Sequence, residues 1–127
     1  MLSDSLVVPT NPVTDIERSK AFYGGVLGLV AIDENPFSVR YRCGGGSQLS
    51  IFKRGPVDRV NTVAHFEVAD IEAIVADLRG RGAVFEEYTE GPLITTDGIA
   101  QIGPARGAWV RDPDGNFLGL RQGPVFA

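Results

Sequence analysis

Val13-Thr14-Asp15-Ile16-Glu17 returns 55 residues later as Val68-Ala69-Asp70-Ile71-Glu72. In both copies an aspartate stands where a strand gives way to a helix. Its carboxylate can accept a bond from an amide that the first helical turn leaves unpaired, so Asp15 and Asp70 read as N-caps. A strand end, a helix cap and a helix start thus occur twice in 127 residues. The repeat predicts one supersecondary unit used twice, and two such units can wrap a shared concave site.

Outward from the first copy, Leu6-Val7-Val8 is a short apolar run that reads as the first strand. Pro9 and Pro12 confine it to an edge or a bulge. After the cap, Ile16, Ser19, Lys20, Tyr23 and Leu27 share a helical face, with Phe22 and Val26 beside it, and Gly24, Gly25 and Gly28 end the helix. Residues 37–42 alternate as a half-buried strand does. Gly44-Gly45-Gly46 is a hairpin turn, because a β-alternating run follows it and not the helix start of a phosphate loop. In that run Leu49 and Ile51 take one face, Ser50 and Phe52 the other.

Outward from the second copy, residues 62–68 read as a strand. Asp70 then caps a stronger helix, with Ile71, Ile74, Val75 and Leu78 at i, i+3, i+4 and i+7. Residues 83–88 are expected to form a strand. Residues 89–107, rich in Gly, Pro and Thr, read either as a lid or cavity wall or as a surface excursion with one short strand near 99–102. Asp112-Pro113-Asp114-Gly115-Asn116 is a strong turn signal between strands at 108–111 and 117–121.

Composition narrows the function classes. The chain is 43% hydrophobic and 22% charged, as a single globular domain usually is. A net charge of −4 disfavours nucleic acid, whose binding rests on phosphate neutralisation. No stretch approaches the roughly 20 apolar residues of a membrane helix. The first residues lack a basic region followed by an apolar run, so no signal peptide is expected and the cytoplasm is the expected compartment. Cys43 is the only cysteine, which rules out an intrachain disulfide and argues against a Cys-rich metal site. It reads as a small core or strand residue, or as a reactive thiol, for which no local base speaks.

Three groups of residues together resemble the vicinal oxygen chelate superfamily, which includes glyoxalase I, bleomycin resistance proteins and extradiol dioxygenases. They are Val13-x-Asp15 with Ser19, Phe22-Tyr23 and Leu27-Gly28; Val68-x-Asp70-Ile71-Glu72 with Leu78 and Gly82; and residues 112–116 with Gly119-Leu120. Their order and spacing cover residues 6–122. The resemblance implies an α+β fold of two β-α-β-β-β modules whose curled sheets form a cup. It places module one at about 6–53, a linker at 54–60 and module two at about 61–122, all within one domain spanning 1–127. It also implies a homodimer, with the cup built within or between chains.

Catalytic members of that family hold a divalent metal at four strand positions, where it acts as a Lewis acid on substrate oxygens. Counting from each Val-x-Asp puts two of those positions here at Val8 and Val63, the apolar residues of the hairpin strand bracket a third at Ser50, and the last follows the turn at Gly119. Valine and glycine offer no donor atom and serine is a poor ligand, so no metal or other cofactor is expected. A register error of two exposes at best His65 alone, or Gln48 with Asn61.

His65, the only histidine, shares a face with Val63 and Glu67 by alternation. His65 and Glu67 read as a ligand-contacting pair, an acid–base group, or ordinary polar residues on the cup wall. Phe52, Tyr41, Tyr88 and Trp109 are core residues or pocket walls, while Arg106 and Arg111 read as solvated charges or anion contacts. The candidate ligand-binding set is His65, Glu67, Phe52, Ser50, Trp109 and Tyr88, with no catalytic residue assigned. The leading expectation is a metal-free small-molecule binding protein like the bleomycin resistance branch, with a partly aromatic or apolar ligand and a role in drug or toxin resistance. A lyase, isomerase or dioxygenase of the same superfamily is the alternative, and a structural dimerisation module the third.

Overall fold

A computed structural model describes residues 2–4, 6–55 and 62–124. The expected linker at 54–60 lies mostly outside them. The fold is α+β, with two curled sheets of four and five strands and few helices. The chain divides into two compact units, Met1–Arg59 with Asp112–Asn116, and Val60–Arg111 with Phe117–Ala127.

The first unit holds β1 (Thr10–Val13), α1 (Ile16–Lys20), β2 (Val30–Asn35), β3 (Ser38–Arg42) and β4 (Gln48–Lys53), in sheet order β1-β4-β3-β2. Its first strand begins at Thr10, not at Leu6. Leu6 and Val7 are exposed, and pairing starts only where the Pro9 carbonyl accepts the Ser50 amide at 2.8 Å. As expected, the proline-bearing strand lies at a sheet edge. Strand β2 has no counterpart in the sequence reading because all six of its residues are exposed, leaving no alternation to detect. In β3 and β4 the alternation holds: Val39, Tyr41, Leu49 and Ile51 are buried.

Asp15 caps α1, its Oδ1 accepting the Arg18 amide at 3.1 Å. From Ala21 to Val26 the helix widens to π geometry, and the Leu27 amide donates five residues back to the Phe22 carbonyl. That winding rotates the expected face, so Phe22 joins Ser19 and Tyr23 in the core while Leu27 is only half-buried. Gly28, at φ 72°, then stops the helix.

A buried polar network ties this unit together. The Tyr23 hydroxyl accepts from Asn11 Nδ2 at 2.8 Å and donates to Asp112 Oδ2 at 2.7 Å. Asp112 also accepts from the Asp114 and Asn116 amides and from Asn116 Nδ2, whose other bond goes to the Pro12 carbonyl. Asp114 in turn accepts from Thr14 and Arg18. Burial, then the Asp112 charge, pushes the Tyr23 hydroxyl pKa far above its ordinary value. The Asp-Pro-Asp-Gly-Asn turn therefore does more than reverse the chain: its carboxylates organise the first unit.

The second unit holds β5 (Thr62–Glu67), α2 (Ile71–Gly80), β6 (Thr95–Thr96), β7 (Ile99–Ile102), β8 (Ala105–Arg111) and β9 (Phe117–Gln122), in sheet order β5-β9-β8-β7-β6. Asp70 caps α2 by accepting the Ala73 amide at 3.1 Å. Ile71, Val75 and Leu78 are buried, as the helical spacing requires, along with Ala108, Val110, Leu118 and Leu120 of the sheet. The expected strand at 83–88 reduces to one bridge, Phe85 to Val110, with the Glu86 amide donating to the Trp109 carbonyl at 2.8 Å. The short strand expected near 99–102 is β7. No described helix is long and apolar enough to cross a membrane.

Candidate functional site

Alternation along β8 and β9 decides what the second sheet presents on the side away from α2. Ala108, Val110, Leu118 and Leu120 go to the core, so Gly107, Trp109, Gly119 and Arg121 take the other face. The hairpin pairs Trp109 with Gly119 and Gly107 with Arg121, and β5 adds His65 beside Gly119 and Glu67 beside Arg121. Trp109, Gly119 and His65 thus form one row across three strands.

A bulge alters the expected register of β5. Thr62 pairs with Phe117 but Ala64 with Leu118, so Val63 is the extra residue. Thr62 and His65, not Val63, help to line a cleft of about 460 Å³ here, together with residues that include Ile102, Gly107, Trp109, Gly119 and Arg121. Tyr88 stands edge-on to Trp109, ring centres 5.7 Å apart, and buttresses it. The floor is mostly apolar and the polar groups sit at one side, the usual make-up of a small-molecule site.

Those polar groups are a chain of three. Arg121 Nη1 donates to both Glu67 oxygens at 3.1 Å, Arg121 Nη2 donates to the Pro124 carbonyl, and Glu67 Oε1 lies 3.3 Å from His65 Nε2. Partial desolvation raises the Glu67 pKa, but the Arg121 and His65 bonds and charges outweigh it and hold the carboxyl below its ordinary value.

Of the six candidate residues, His65 and Trp109 line this cleft, and Glu67 and Tyr88 support them. Ser50 and Phe52 belong to the first unit, Ser50 buried and Phe52 exposed. Ile102, Gly107 and Arg121 also line the cleft and are not among the six. For Gly107 and Arg121 the signal was available, because a turn centred on Asp114 fixes which residues of 105–111 oppose which of 117–122, whereas Ile102 lies in the next strand, β7, beyond that hairpin. Arg106 and Arg111 are neither free nor anion contacts in this arrangement, since Arg106 pairs with Glu72 at 2.6 Å and Arg111 with Glu86 and the Phe117 ring. Cys43 is half-buried, and burial pushes its thiol pKa up, against a reactive role. A larger cleft of about 690 Å³ in the first unit is rimmed by charges, with Lys20 already paired to Glu17 and Glu34.

The residues do not fit a divalent metal at the positions the family resemblance implies. Val8 precedes β1, Val63 is the bulge, and Ser50 offers one hydroxyl. A Cβ on Gly119 would meet His65 Cβ at 3.1 Å, so a carboxylate side chain there would need the histidine to give by a few tenths of an ångström. Among the described residues no group of three His, Cys, Asp or Glu side chains is placed to hold a metal.

The antibiotic-binding protein TnmS3 of Streptomyces sp. CB03234 has a similar structure, with a TM-score of 0.72 at 23% identity over 98% of this chain and 99% of that one. A glyoxalase/bleomycin resistance protein of the same organism gives 0.65 at 24% identity, over 93% and 100%. A glyoxalase-related enzyme from Fulvimarina pelagi gives 0.69 at 19% identity, over 98% and 91%. No curated protein matches. At such identities the likeness establishes the fold alone. The profile of the glyoxalase/bleomycin resistance protein/dioxygenase superfamily matches residues 6–120, nearly the whole chain, and the chain belongs to that superfamily.

Proposed function

We propose that this protein binds a small, partly aromatic or apolar molecule in the cleft of its second unit, without a metal, and that sequestration of a drug or toxin is its role. The observation that carries this reading is the Trp109–Gly119–His65 row, an aromatic wall beside an apolar floor with a few polar groups at one side. The antibiotic-binding neighbour supports it. Trp109 is the only tryptophan of the chain, so its fluorescence reports on the cleft alone. A library of aromatic antibiotics and related compounds, screened by thermal shift and Trp109 fluorescence, tests the reading. At 100 times Kd a ligand adds about 2.7 kcal/mol of stability, several degrees in Tm for a chain of this size. A library that moves neither signal refutes it.

A metal-free enzyme is the second reading, favoured by the His65–Glu67 contact. It fails if a His65→Ala variant converts such compounds as fast as the parent. The homodimer implied by the family is part of the proposal, and a sedimentation mass of 13.6 kDa at every concentration would exclude it.

A further inference from the structure

The Arg121–Glu67–His65 chain fixes what the imidazole can offer a ligand. Glu67 is clamped by Arg121 through both oxygens, and a carboxylate so held is ionised and only accepts. His65 Nε2, 3.3 Å from Glu67 Oε1, must therefore be the donor. In the neutral ring Nδ1 is then the acceptor. Of the other polar side chains lining the cleft, Trp109 and Arg121 can only donate, and the Thr62 hydroxyl both donates and accepts. Nor does the cleft select an anion, because the Arg121 charge is matched by Glu67.

We infer that the cleft takes aromatic compounds bearing a hydroxyl donor, with His65 Nδ1 accepting the hydroxyl hydrogen while the ring packs on Trp109. This rests on the small-molecule reading above and names the chemical class it takes. Gly119 leaves room for the histidine beside the floor, since a Cβ there would lie 3.1 Å from His65 Cβ. The apolar floor formed by Ile102, Gly107 and Gly119 strengthens a hydrogen bond made against it.

Two probes that differ in the donor and by one methyl group test this: 2-naphthol and 2-methoxynaphthalene, titrated calorimetrically. The parent protein should prefer the naphthol about fivefold to tenfold, the worth of one net hydrogen bond. His65→Ala, an exposed position where folding is not at risk, should lose the preference, its ratio of naphthol to ether affinity falling to about one. His65→Asn, whose Oδ1 puts an acceptor near the place of Nδ1, should regain part of it. Equal binding of both probes by the parent, or a preference that survives in His65→Ala, overturns the inference while the aromatic-binding reading stands. Binding of neither probe overturns both.

Discussion

The two units start from the same device and end with opposite chemistry. Asp15 and Asp70 cap their helices by the same bond at the same distance, and in each unit the first strand runs parallel to the last. On the face away from the helix, the first sheet presents Arg40, Ser50 and Thr10 in one row, and the second presents Trp109, Gly119 and His65. Their interiors differ as well. The first buries Asn11, Ser19, Asp112 and Asn116 beside its apolar residues, while the second is packed mainly with aliphatic and aromatic side chains. A repeated backbone thus fixes architecture and leaves chemistry free: one unit invests its polar groups in holding itself together, the other leaves them at an open cleft.

The most direct way to break that contrast is to attack each unit at its own centre. Asp112→Ala removes an acceptor of four bonds and strands the buried Tyr23 hydroxyl. A loss of about 3 kcal/mol is expected in urea denaturation, since a buried partner is left unsatisfied. A loss under about 1 kcal/mol would mean the network is incidental. Trp109→Ala should act in the other register. It costs stability mainly through the Tyr88 ring contact, about 1 kcal/mol, but should weaken binding of an aromatic ligand at least about thirtyfold, as loss of a central aromatic anchor does. Comparable stability losses from the two variants, with affinity unchanged in Trp109→Ala, would erase the distinction between a structural unit and the proposed binding unit.

How much of this was legible before the structure follows the same divide. The caps, the second helix, the alternation of β3 and β4 and the hairpin around Asp114 all depend on local rules, and the residues announced them. Strand β2 did not, because an exposed edge strand such as Val30–Asn35 has no buried face to imprint a pattern. The π-winding after Ala21 was hidden for a related reason, since helical spacing assumes a constant turn. At the candidate cleft, residue type named Trp109 and Tyr88, residue type and alternation named His65 and Glu67, and the structure brings these four together. The bulge at Val63 was not legible, for it is set by pairing with β9, and it moved the cleft lining from Val63 to Thr62.

Gly119→Ala sharpens the comparison at a single methyl. Its first-unit counterpart in the sheet, Ser50, carries a side chain, whereas a Cβ at 119 meets His65 Cβ at 3.1 Å. Overpacking of this kind costs about 1 kcal/mol, and the histidine, being exposed, is the group that yields. Stability should fall slightly, and the naphthol preference should fall with it, while affinity for the ether holds. An unchanged preference would show that His65 does not need the glycine.

The smallest effect expected is a pH dependence confined to the open face. Glu67 has a folded pKa below its ordinary value, so the unfolded chain binds a proton more readily. Its contribution is therefore fully present above the ordinary carboxylate pKa, about 4.3, and is lost as pH falls through the lower folded value. Because the pair with Arg121 is exposed on the Glu67 side, that contribution is modest and screened by salt. A carboxyl carbon NMR titration should put the Glu67 midpoint below the ordinary value, and Arg121→Gln should bring it back up. In urea denaturation, Glu67→Gln should flatten the stability profile slightly below pH 4.3 and leave its shape above that pH intact. A Glu67 midpoint at or above the ordinary value would dissolve the clamp, and with it the reason His65 Nε2 must donate.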